Sequence, residues 1–445
     1  MERWRKDRFG KLSSAQPNTD WTPLRVIDVN GLQIDGKTAD VMPTEPLDQK
    51  LKAFGWHVLS VDGHDLAGLT AAFAQAKTLT GAPTMILAKT IKGKGFPLWR
   101  TRLDGMARPP TRNSISRRGR SWPLPWRKRR GSKMAEKIAT RAAYGKALVE
   151  LADQEPNLVV LDADLSGSTM TKEFAAAHPD RFFDMGIAEA NMVGVAAGLA
   201  TCGKKPFVNS FAMFAAGRAW EQVRNSVAYP GLNVKVVGSH GGLSVGEDGA
   251  THQCIEDLAI MRAIPNMTVL CPCDGYEMRE AVRALLAYEG PAYMRLGRLA
   301  VETVTDRVEG YQFAIGKGAL LRDGQDVTVV AVGMMVQMAL QAAEQLAGEG
   351  ISVRVIDMHT LKPLDTEILL TAARETGCVV TTEEANVIGG LGSAVAEYLS
   401  SACPVPVVRH GVADEFGRSG AAQKVLEAYS LTTEGIVDKV RQAVS

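Results

Sequence analysis

Residues 181–199 read RFFDMGIAEANMVGVAAGL, and the interpretation of the whole chain depends on this stretch. A strand-like pair, Phe182 and Phe183, leads to a turn at Gly186, after which an apolar helix opens. The helix carries one carboxylate, Glu189, among small and apolar residues that supply no opposite charge. Such a carboxylate is expected to resist ionisation or to bond with a group that shares its proton. From this stretch alone, an ordinary first-turn glutamate stabilised by the helix dipole is the favoured interpretation. The prediction of a functional acid depends on the rest of the chain.

Strand and helix patterns alternate on both sides of this stretch. Strand patterns occur at residues 27–36, 56–65, 83–95, 157–166, 267–274, 291–298, 326–333, 351–359, 378–384 and 405–412. Residues 205–229 predict a strand, a turn and a long helix, and residues 233–253 predict a strand and a glycine-rich polar loop. The alternation predicts an α/β fold built on a doubly wound parallel sheet, followed by a smaller α/β domain.

Polar or aromatic clusters follow successive predicted strands. They lie at residues 164–168, Glu189, 211–214, 240–252 and Arg295. Ligands of open parallel sheets bind beyond the carboxyl ends of the strands, so these clusters predict one shared site. By contrast, we interpret the glycine-rich helix entry at residues 387–399 as a structural turn rather than a phosphate cradle.

Three motifs occur in a fixed order: GIAEANM, FAMFAAGRAWEQVRN and HGGLSVGEDGATHQ. Together they resemble the pyrimidine-binding domain of transketolase, and most closely the C-terminal subunit of split, two-gene transketolases. The resemblance covers residues 134–445 and implies a pyrimidine-binding domain at 134–305 and a transketolase C-terminal domain at 306–445. Residues 1–95 resemble an incomplete remnant of the diphosphate-binding domain, and residues 96–133 form a basic linker.

The resemblance implies a role for each matching residue. Glu189 matches the glutamate that bonds the aminopyrimidine ring nitrogen of thiamine diphosphate, and His240 and His252 match residues that contact cofactor and substrate. The implied cofactor-binding residues are Asp164, Leu165, Phe211 and Phe214. The residues implied to bind the phosphate and hydroxyl groups of the substrate are Arg141, Ser168, Asp248 and Arg295.

The implied reaction is ketol transfer, in which a two-carbon unit passes from a ketose phosphate to an aldose phosphate in the pentose phosphate pathway. Three alternatives within thiamine-dependent enzymes remain: a 1-deoxyxylulose-5-phosphate synthase, an apulose-phosphate transketolase subunit and a dehydrogenase E1 β subunit. The phosphate-binding set argues against the dehydrogenase, and the loop at 240–253 favours transketolase over the synthase. A non-enzymatic binding protein that uses the basic linker is a further alternative.

The implied metal is Mg²⁺, with the Asn30 side chain and the Leu32 carbonyl as candidate ligands. The family's second metal ligand lies in a G-D-G motif that this chain does not contain. Mg²⁺ takes its oxygens from several groups, so Asn30 alone does not make a site. The resemblance therefore implies an N-terminal partner subunit, and since the cofactor spans two chains it also implies a homodimer.

The linker is unusually basic. Residues 97–133 hold ten Arg and two Lys against one acid, a charge of +11, while the whole chain carries only +2. Read one nucleotide upstream, residues 105–118 permit WHGTAPNAEQYQQA, which resembles the usual family sequence, and residues 1–13 permit a reading that contains the missing metal-site acid. We hypothesise a fusion produced by frame slips, which DNA sequencing would test, and we expect residues 97–133 to be disordered. Five prolines and three unperiodic tryptophans argue against a nucleic-acid patch.

The remaining composition indicates an ordinary globular protein of a reducing compartment. Six cysteines show no disulfide-type spacing, which fits the cytoplasm. Cys271 and Cys273 have no second ligand pair, and we interpret both as strand-end residues. No apolar run approaches a membrane span, so no membrane partner is expected.

Overall fold

The computed structural model describes residues 24–33, 35–92, 94 and 137–445, which divide into two compact units. The first unit contains the described residues up to 94 together with 184–188, and the second contains 137–183 and 189–445. The predicted disorder at 97–133 and the frame-slip readings fall outside the described residues. Among the described helices, none has the length and apolar character needed to cross a membrane.

The first unit is a small parallel α/β sheet, as its sequence pattern predicts. Its strands are β1 (Leu24–Val29), β2 (His57–Asp62) and β3 (Thr84–Lys89), in the order β1-β3-β2, and its helices are α1 (Thr38–Val41), α2 (Leu47–Ala53) and α3 (Leu66–Thr78). The central strand β3 is buried because α2 packs Leu51 over Met85 and Leu87. Asp65 caps α3 by accepting a hydrogen bond from Ala67 N at 3.0 Å.

The second unit contains a seven-stranded sheet whose five central strands pair in parallel and which has an antiparallel strand at one edge. Its strands follow the order β15-β9-β10-β8-β7-β5-β6 and are β5 (Leu158–Asp162), β6 (Phe182–Asp184), β7 (Lys205–Phe211), β8 (Lys235–Ser239), β9 (Thr268–Leu270), β10 (Ala292–Arg295) and β15 (Thr360–Lys362). A separate antiparallel pair joins β4 (Ile138–Ala139) to β11 (Ala300–Val301). Strands β5, β8 and β10 are fully buried, and β7 is buried except at Lys205, which explains their apolar character.

Helices surround this sheet, but one predicted helix takes a different form. The α-helices are α4 (Thr140–Ala152), α5 (Ser166–Thr169), α6 (Lys172–Ala177), α7 (Glu189–Thr201), α8 (Trp220–Gln222), α9 (Asp257–Arg262) and α10 (Gly275–Ala287), with 3-10 turns at Pro179–Arg181, Leu243–Asp248 and Thr305–Arg307. The single long helix expected within residues 205–229 is wrong. Two π-helical segments, Met213–Arg218 and Val223–Ala228, flank α8. Apolar spacing does not reveal π-helical turns, which often mark functional sites.

A five-stranded sheet forms the rest of the second unit. Its order is β12-β14-β13-β16-β17, with β12 (Ala319–Arg322), β13 (Val327–Ala331), β14 (Val353–Asp357), β16 (Val379–Asn386) and β17 (Val407–Val412), and its helices are α11 (Met335–Ala347), α12 (Thr366–Thr376), α13 (Leu391–Ala402), α14 (Ala422–Ala428) and α15 (Thr433–Val444). Strand β15 follows β14 in the chain but pairs antiparallel with β9 of the larger sheet. The sequence patterns did not predict this shared edge strand, because β15 has only three residues.

Two interpretations of short motifs are confirmed. Strand β9 ends at Leu270, and Cys271 and Cys273 follow it as buried free thiols. The glycine-rich entry to α13 is a structural turn, because the Glu383 carboxylate accepts hydrogen bonds from Leu391 N at 2.7 Å and Gly392 N at 2.8 Å. A carboxyl group supplied by the chain itself therefore occupies this helix N-terminus.

Candidate active site

Four aromatic side chains meet beyond the ends of β7 and β8. Phe211 ends β7, Phe214 lies in the first π-helix, and His240 directly follows β8. The rings of Phe211 and His240 are stacked with centroids 4.1 Å apart, and His252 meets Phe214 edge-on at 5.2 Å. The structure thus brings together two predicted cofactor residues and two predicted catalytic residues around one space.

His240 is held as a neutral imidazole in an uncommon backbone conformation. Its φ is 58°, a left-handed value that non-glycine residues adopt mainly where the surroundings impose it. Ser239 Oγ lies 2.8 Å from His240 Nδ1. Burial lowers the pKa of His240 well below its ordinary value, and the positive charges of Arg141, Arg298 and His252 lower it further. His240 can therefore exchange hydrogen bonds at neutral pH without carrying a charge.

The loop that follows His240 carries the other predicted polar residues. His252 is half-buried, and Thr251 Oγ1 lies 2.9 Å from its Nδ1. Gln253 Nε2 fixes the loop by donating to the carbonyl of Gly246 at 3.1 Å. Asp248 ends the 3-10 turn and is exposed.

Glu189 begins α7 and is only 2 % exposed. The expectation that no opposite charge faces it is wrong, because Arg218 Nη1 donates to Glu189 Oε1 at 2.7 Å. Arg218 follows Glu189 by 29 residues, and only the packing of the π-helix against α7 makes them neighbours. Glu189 Oε2 is buried and has no hydrogen-bond partner among the described residues. A buried oxygen without a donor is costly, so this atom points to a ligand group that donates a proton to it.

Asp162 organises the loop that holds Asp164 and Leu165. Its carboxylate accepts hydrogen bonds from Leu165 N at 2.7 Å and from Thr169 and Thr171 hydroxyls at 2.7 and 2.8 Å. Asp164 is fully buried and has a φ of 63°, and Leu165 is also buried. Both predicted residues therefore lie in a rigid turn after β5, although Asp162, which fixes that turn, was not singled out from the sequence.

Two of the predicted phosphate-binding residues are in contact. Arg141, in the first turn of α4, donates from Nη1 to the Ser168 carbonyl at 2.6 Å. Both side chains are half-buried, so they remain within reach of a ligand. Arg141 also acts on the His240 ring electrostatically, which places its positive charge near the ring cluster.

The third predicted phosphate ligand, Arg295, lies in the interior. It is 4 % exposed, its Nε lies 3.2 Å from Asp257 Oδ2, and its Nη2 donates to the carbonyls of Cys254 and Glu384. Internal acceptors bind Nη2, whereas Nε has no hydrogen-bond partner among the described residues, so a phosphate role for Arg295 stays a prediction. Arg298, three residues later, retains partial exposure and lowers the pKa of His240. The sequence shows both arginines in MRLGR, and only burial separates them.

The candidate metal residues form a tight turn in the first unit. Asn30 Oδ1 accepts a hydrogen bond from Leu32 N at 3.0 Å, and Asn30 Nδ2 donates to Asp28 Oδ2 at 3.2 Å. The Asn30 oxygen and the Leu32 carbonyl offer two ligands, whereas Mg²⁺ prefers six. These two residues alone do not make a complete site.

The second unit also contains a buried acidic cluster that the sequence patterns did not reveal. Cys273, Glu277 and Asp357 present ligand-type atoms within 4.8 Å of one another. Glu277 accepts from Cys273 N at 2.7 Å and from the Tyr311 hydroxyl. Burial, followed by the charge of Glu277, raises the pKa of Asp357 well above its ordinary value. A neutral Asp357 explains how two carboxyl groups lie together without solvent.

Three family models match the chain. They are the transketolase thiamine diphosphate binding domain over residues 23–120, the transketolase pyrimidine binding domain over 136–303 and the transketolase C-terminal domain over 316–436. The first match extends beyond residue 95, the predicted end of the diphosphate-domain remnant.

Individual relatives agree with these matches. A putative transketolase C-terminal section of Methanocaldococcus jannaschii is 50% identical over 303 residues, or 68% of this chain and 95% of that protein. A 6-deoxy-6-sulfo-D-fructose transketolase subunit of a Clostridium strain is 49% identical, over 67% of this chain and 92% of that protein. Human transketolase is 33% identical over 95% of this chain and 71% of its own length. A solved split-gene transketolase, described as an inactive beta4 tetramer, is 53% identical over 69% of this chain and 99% of its own, with a TM-score of 0.64.

Proposed function

Because the chain belongs to the transketolase family, we propose that it transfers a two-carbon ketol unit from a ketose phosphate to an aldose phosphate with thiamine diphosphate. The observation that carries the proposal is the convergence at one sheet edge. There the unpartnered Oε2 of Glu189 accompanies the ring cluster of Phe211, Phe214, His240 and His252.

The residues present fit the pyrimidine half of the cofactor. The Phe211 and Phe214 rings are nearly parallel, with centroids 6.1 Å apart, and supply flat apolar surface for a flat ring. Glu189 Oε2 would accept the proton of a pyrimidine ring nitrogen. When bound, thiamine diphosphate supplies the carbon nucleophile that breaks and forms carbon–carbon bonds. Asp164 and Leu165, in their rigid turn, would line the same cofactor.

The sugar substrate would meet histidine hydrogen bonds and arginine charges. Neutral His240 and half-buried His252 would exchange hydrogen bonds with substrate hydroxyls, with Asp248 at the exposed rim. We assign the phosphate to Arg141, Ser168 and Arg298, because the planar guanidinium pairs two phosphate oxygens at once. Arg298 replaces Arg295 in this proposal because Arg295 is buried beside Asp257 and its Nη2 is bonded to internal carbonyls.

A complete site would require further chains. The Asn30–Leu32 turn offers too few oxygens for Mg²⁺, so we propose that an N-terminal transketolase subunit supplies the diphosphate and metal surface, and that the assembly contains at least a homodimer of this chain. The similarity to a split-gene C-terminal section, and to a solved tetramer described as inactive, supports this proposal. Six free thiols support a reducing cytoplasm as the location.

The identity of the sugar substrate is the most specific part of the proposed function. We propose pentose phosphates as the substrates. We also propose that the chain consists of a diphosphate-domain remnant at 1–95, a pyrimidine-binding domain at 134–305 and a C-terminal domain at 306–445. The similarity to a 6-deoxy-6-sulfo-D-fructose transketolase subunit makes a sulfosugar a second candidate, because a sulfonate would use the same arginines. Apulose phosphate is a third.

The test combines the full chain with an N-terminal transketolase subunit, thiamine diphosphate and Mg²⁺. Ketol transfer is then measured from xylulose 5-phosphate to ribose 5-phosphate, with 6-deoxy-6-sulfofructose and apulose phosphate as competing substrates. We expect the lone chain to be inactive or nearly so and the complex to transfer the ketol unit. A complex that binds the cofactor and transfers none of these ketol units would contradict the proposed function.

A further inference from the structure

Arg218 contacts both parts of the candidate cofactor site. Its guanidinium carbon lies 4.3 Å from the centroid of the Phe214 ring, a cation–π distance, and its Nη1 donates to Glu189 Oε1. The π-helical turn Met213–Arg218 carries both Phe214 and Arg218. The arginine is therefore held on one side by an aromatic ring and on the other by the buried carboxylate.

Arg218 is the charged group that acts on Glu189. Beside the first π-helix, the elements packed against α7 are β5, β7, α8 and the second π-helix. Their charged residues are bonded elsewhere: Asp162 to Thr169 and Thr171, Lys205 to Glu155, Glu221 to Asn225, and Arg224 to Asn225. Within the described residues, Arg218 forms the one ion pair with Glu189.

We propose that Arg218 is a positioning residue that keeps Glu189 ionised and restrains its Oε1, so that Oε2 acts as a proton acceptor toward the pyrimidine ring nitrogen of thiamine diphosphate. The inference rests on the proposed function, because it concerns the same cofactor. An ion pair with an arginine stabilises the carboxylate over the carboxylic acid. The proton shared by Glu189 and the ring nitrogen must then come from solvent when the cofactor binds, since Glu189 does not bring one.

The test counts the protons taken up when the cofactor binds. Thiamine diphosphate with Mg²⁺ is titrated by calorimetry into the complex of the full chain with an N-terminal subunit, in buffers of different ionisation enthalpy. We expect the wild type to take up about one proton more than Glu189→Gln, because Glu189 and the ring nitrogen together would hold one additional proton in the bound state. Arg218→Met should lose that extra uptake, because burial without an opposite charge favours the neutral form of a carboxyl group, and Arg218→Lys should restore it.

Arg224→Met is the matched control, because Arg224 is exposed on the neighbouring π-helix and contacts Asn225. It should bind with the wild-type proton count. An unchanged count in Arg218→Met would overturn the inference alone, whereas an unchanged count in Glu189→Gln would remove Glu189 from the proposed cofactor site.

A second measurement covers the case in which Arg218→Met binds too weakly. In the cofactor-free complex, Arg218→Met should lower the melting temperature by leaving Glu189 without its partner. Adding Glu189→Gln to that variant should recover most of the loss, because the unpaired acid is then absent. A double variant no more stable than Arg218→Met would show that Arg218 does not act through Glu189 and would overturn the inference.

Discussion

Glu189 and Glu383 are both buried glutamates beside the start of a helix, yet their oxygens are used differently. Glu383 lies in β16 of the five-stranded sheet, and both of its carboxylate oxygens accept hydrogen bonds from the first amides of α13. Glu189, at the edge of the seven-stranded sheet, gives one oxygen to Arg218 and leaves the other without a partner. Burial is therefore common to both, and the unpartnered oxygen distinguishes the candidate site from a structural cap.

The same contrast separates Arg295 from Arg298. Arg295 is buried, lies beside Asp257 and donates to the carbonyl of Glu384. Arg298 holds the loop by donating to Glu247 at 3.1 Å and still affects His240. In both pairs the residue type is the same, so we propose that the partners provided by packing determine which member can take part in function.

The largest expected effect comes from Glu189. In the reconstituted complex, Glu189→Gln should lower the rate of ketol transfer by about 10²–10⁴-fold, the usual contribution of a positioned acid or base. Thermal unfolding of the variant should show that the fold is retained. Glu221→Gln, at an exposed position on α8, is the control and should keep its activity. Full activity in Glu189→Gln would place Glu189 with Glu383 as a structural residue.

The two arginines should respond to the same substitution in opposite ways. Arg295→Met should reduce the free energy of unfolding by about 3–5 kcal/mol, because Asp257 is left as an uncompensated buried charge. Arg298→Met should instead raise KM for phosphorylated substrates by about 10- to 100-fold, from the loss of a charge-assisted contact worth about 1.5–3 kcal/mol. Chemical unfolding and steady-state kinetics measure the two effects. Loss of substrate binding with intact stability in Arg295→Met would contradict the assignment.

Glu383 should make stability depend on pH. Burial raises its pKa from 4.5 to about 7, so the folded chain holds this proton more tightly than the unfolded chain does. The contribution of protonated Glu383 to the free energy of unfolding is fully present below pH 4.5 and is lost as the pH rises through 7. The loss is about 3 kcal/mol, at 1.4 kcal/mol per pH unit. Denaturant unfolding of Glu383→Gln between pH 5 and 8 should lack this slope. The exposed Glu344→Gln should retain it, and equal slopes in all three proteins would refute the prediction.

The smallest effect is expected in the buried acidic cluster. Because burial raises the pKa of Asp357, the folded wild type keeps this group protonated at pH values where the unfolded chain ionises it. The folded state therefore loses stability as the pH rises above the ordinary pKa of an aspartate. Asp357→Asn should therefore be more stable than the wild type at pH 8 by about 1–3 kcal/mol, and the advantage should disappear toward pH 4. Melting temperatures across this range provide the measurement, with exposed Asp153→Asn as the control. A variant that is less stable at pH 8 would indicate that Asp357 functions as a charged group.

Much of the candidate site could be predicted from the chain order of its motifs. Phe211, Phe214, His240 and His252 follow strands of one predicted sheet, and parallel strands place their carboxyl ends at a common edge. The structure brings these four residues together. The sequence does not reveal that Arg218 pairs with Glu189, because the two residues are 29 positions apart and apolar spacing does not indicate a π-helical turn.

The sequence by itself determined the α/β alternation and the strand ends that carry polar residues, and it made Glu189 the candidate for the central acid. These features depend on local periodicity and on residue chemistry, which the order of amino acids contains. Tertiary structure alone decided that Arg218 pairs with Glu189, that Arg295 is buried while Arg298 is not, and that β15 completes the larger sheet. Each of these depends on which distant segments pack together, and a buried charge takes its properties from those neighbours rather than from its own position in the chain.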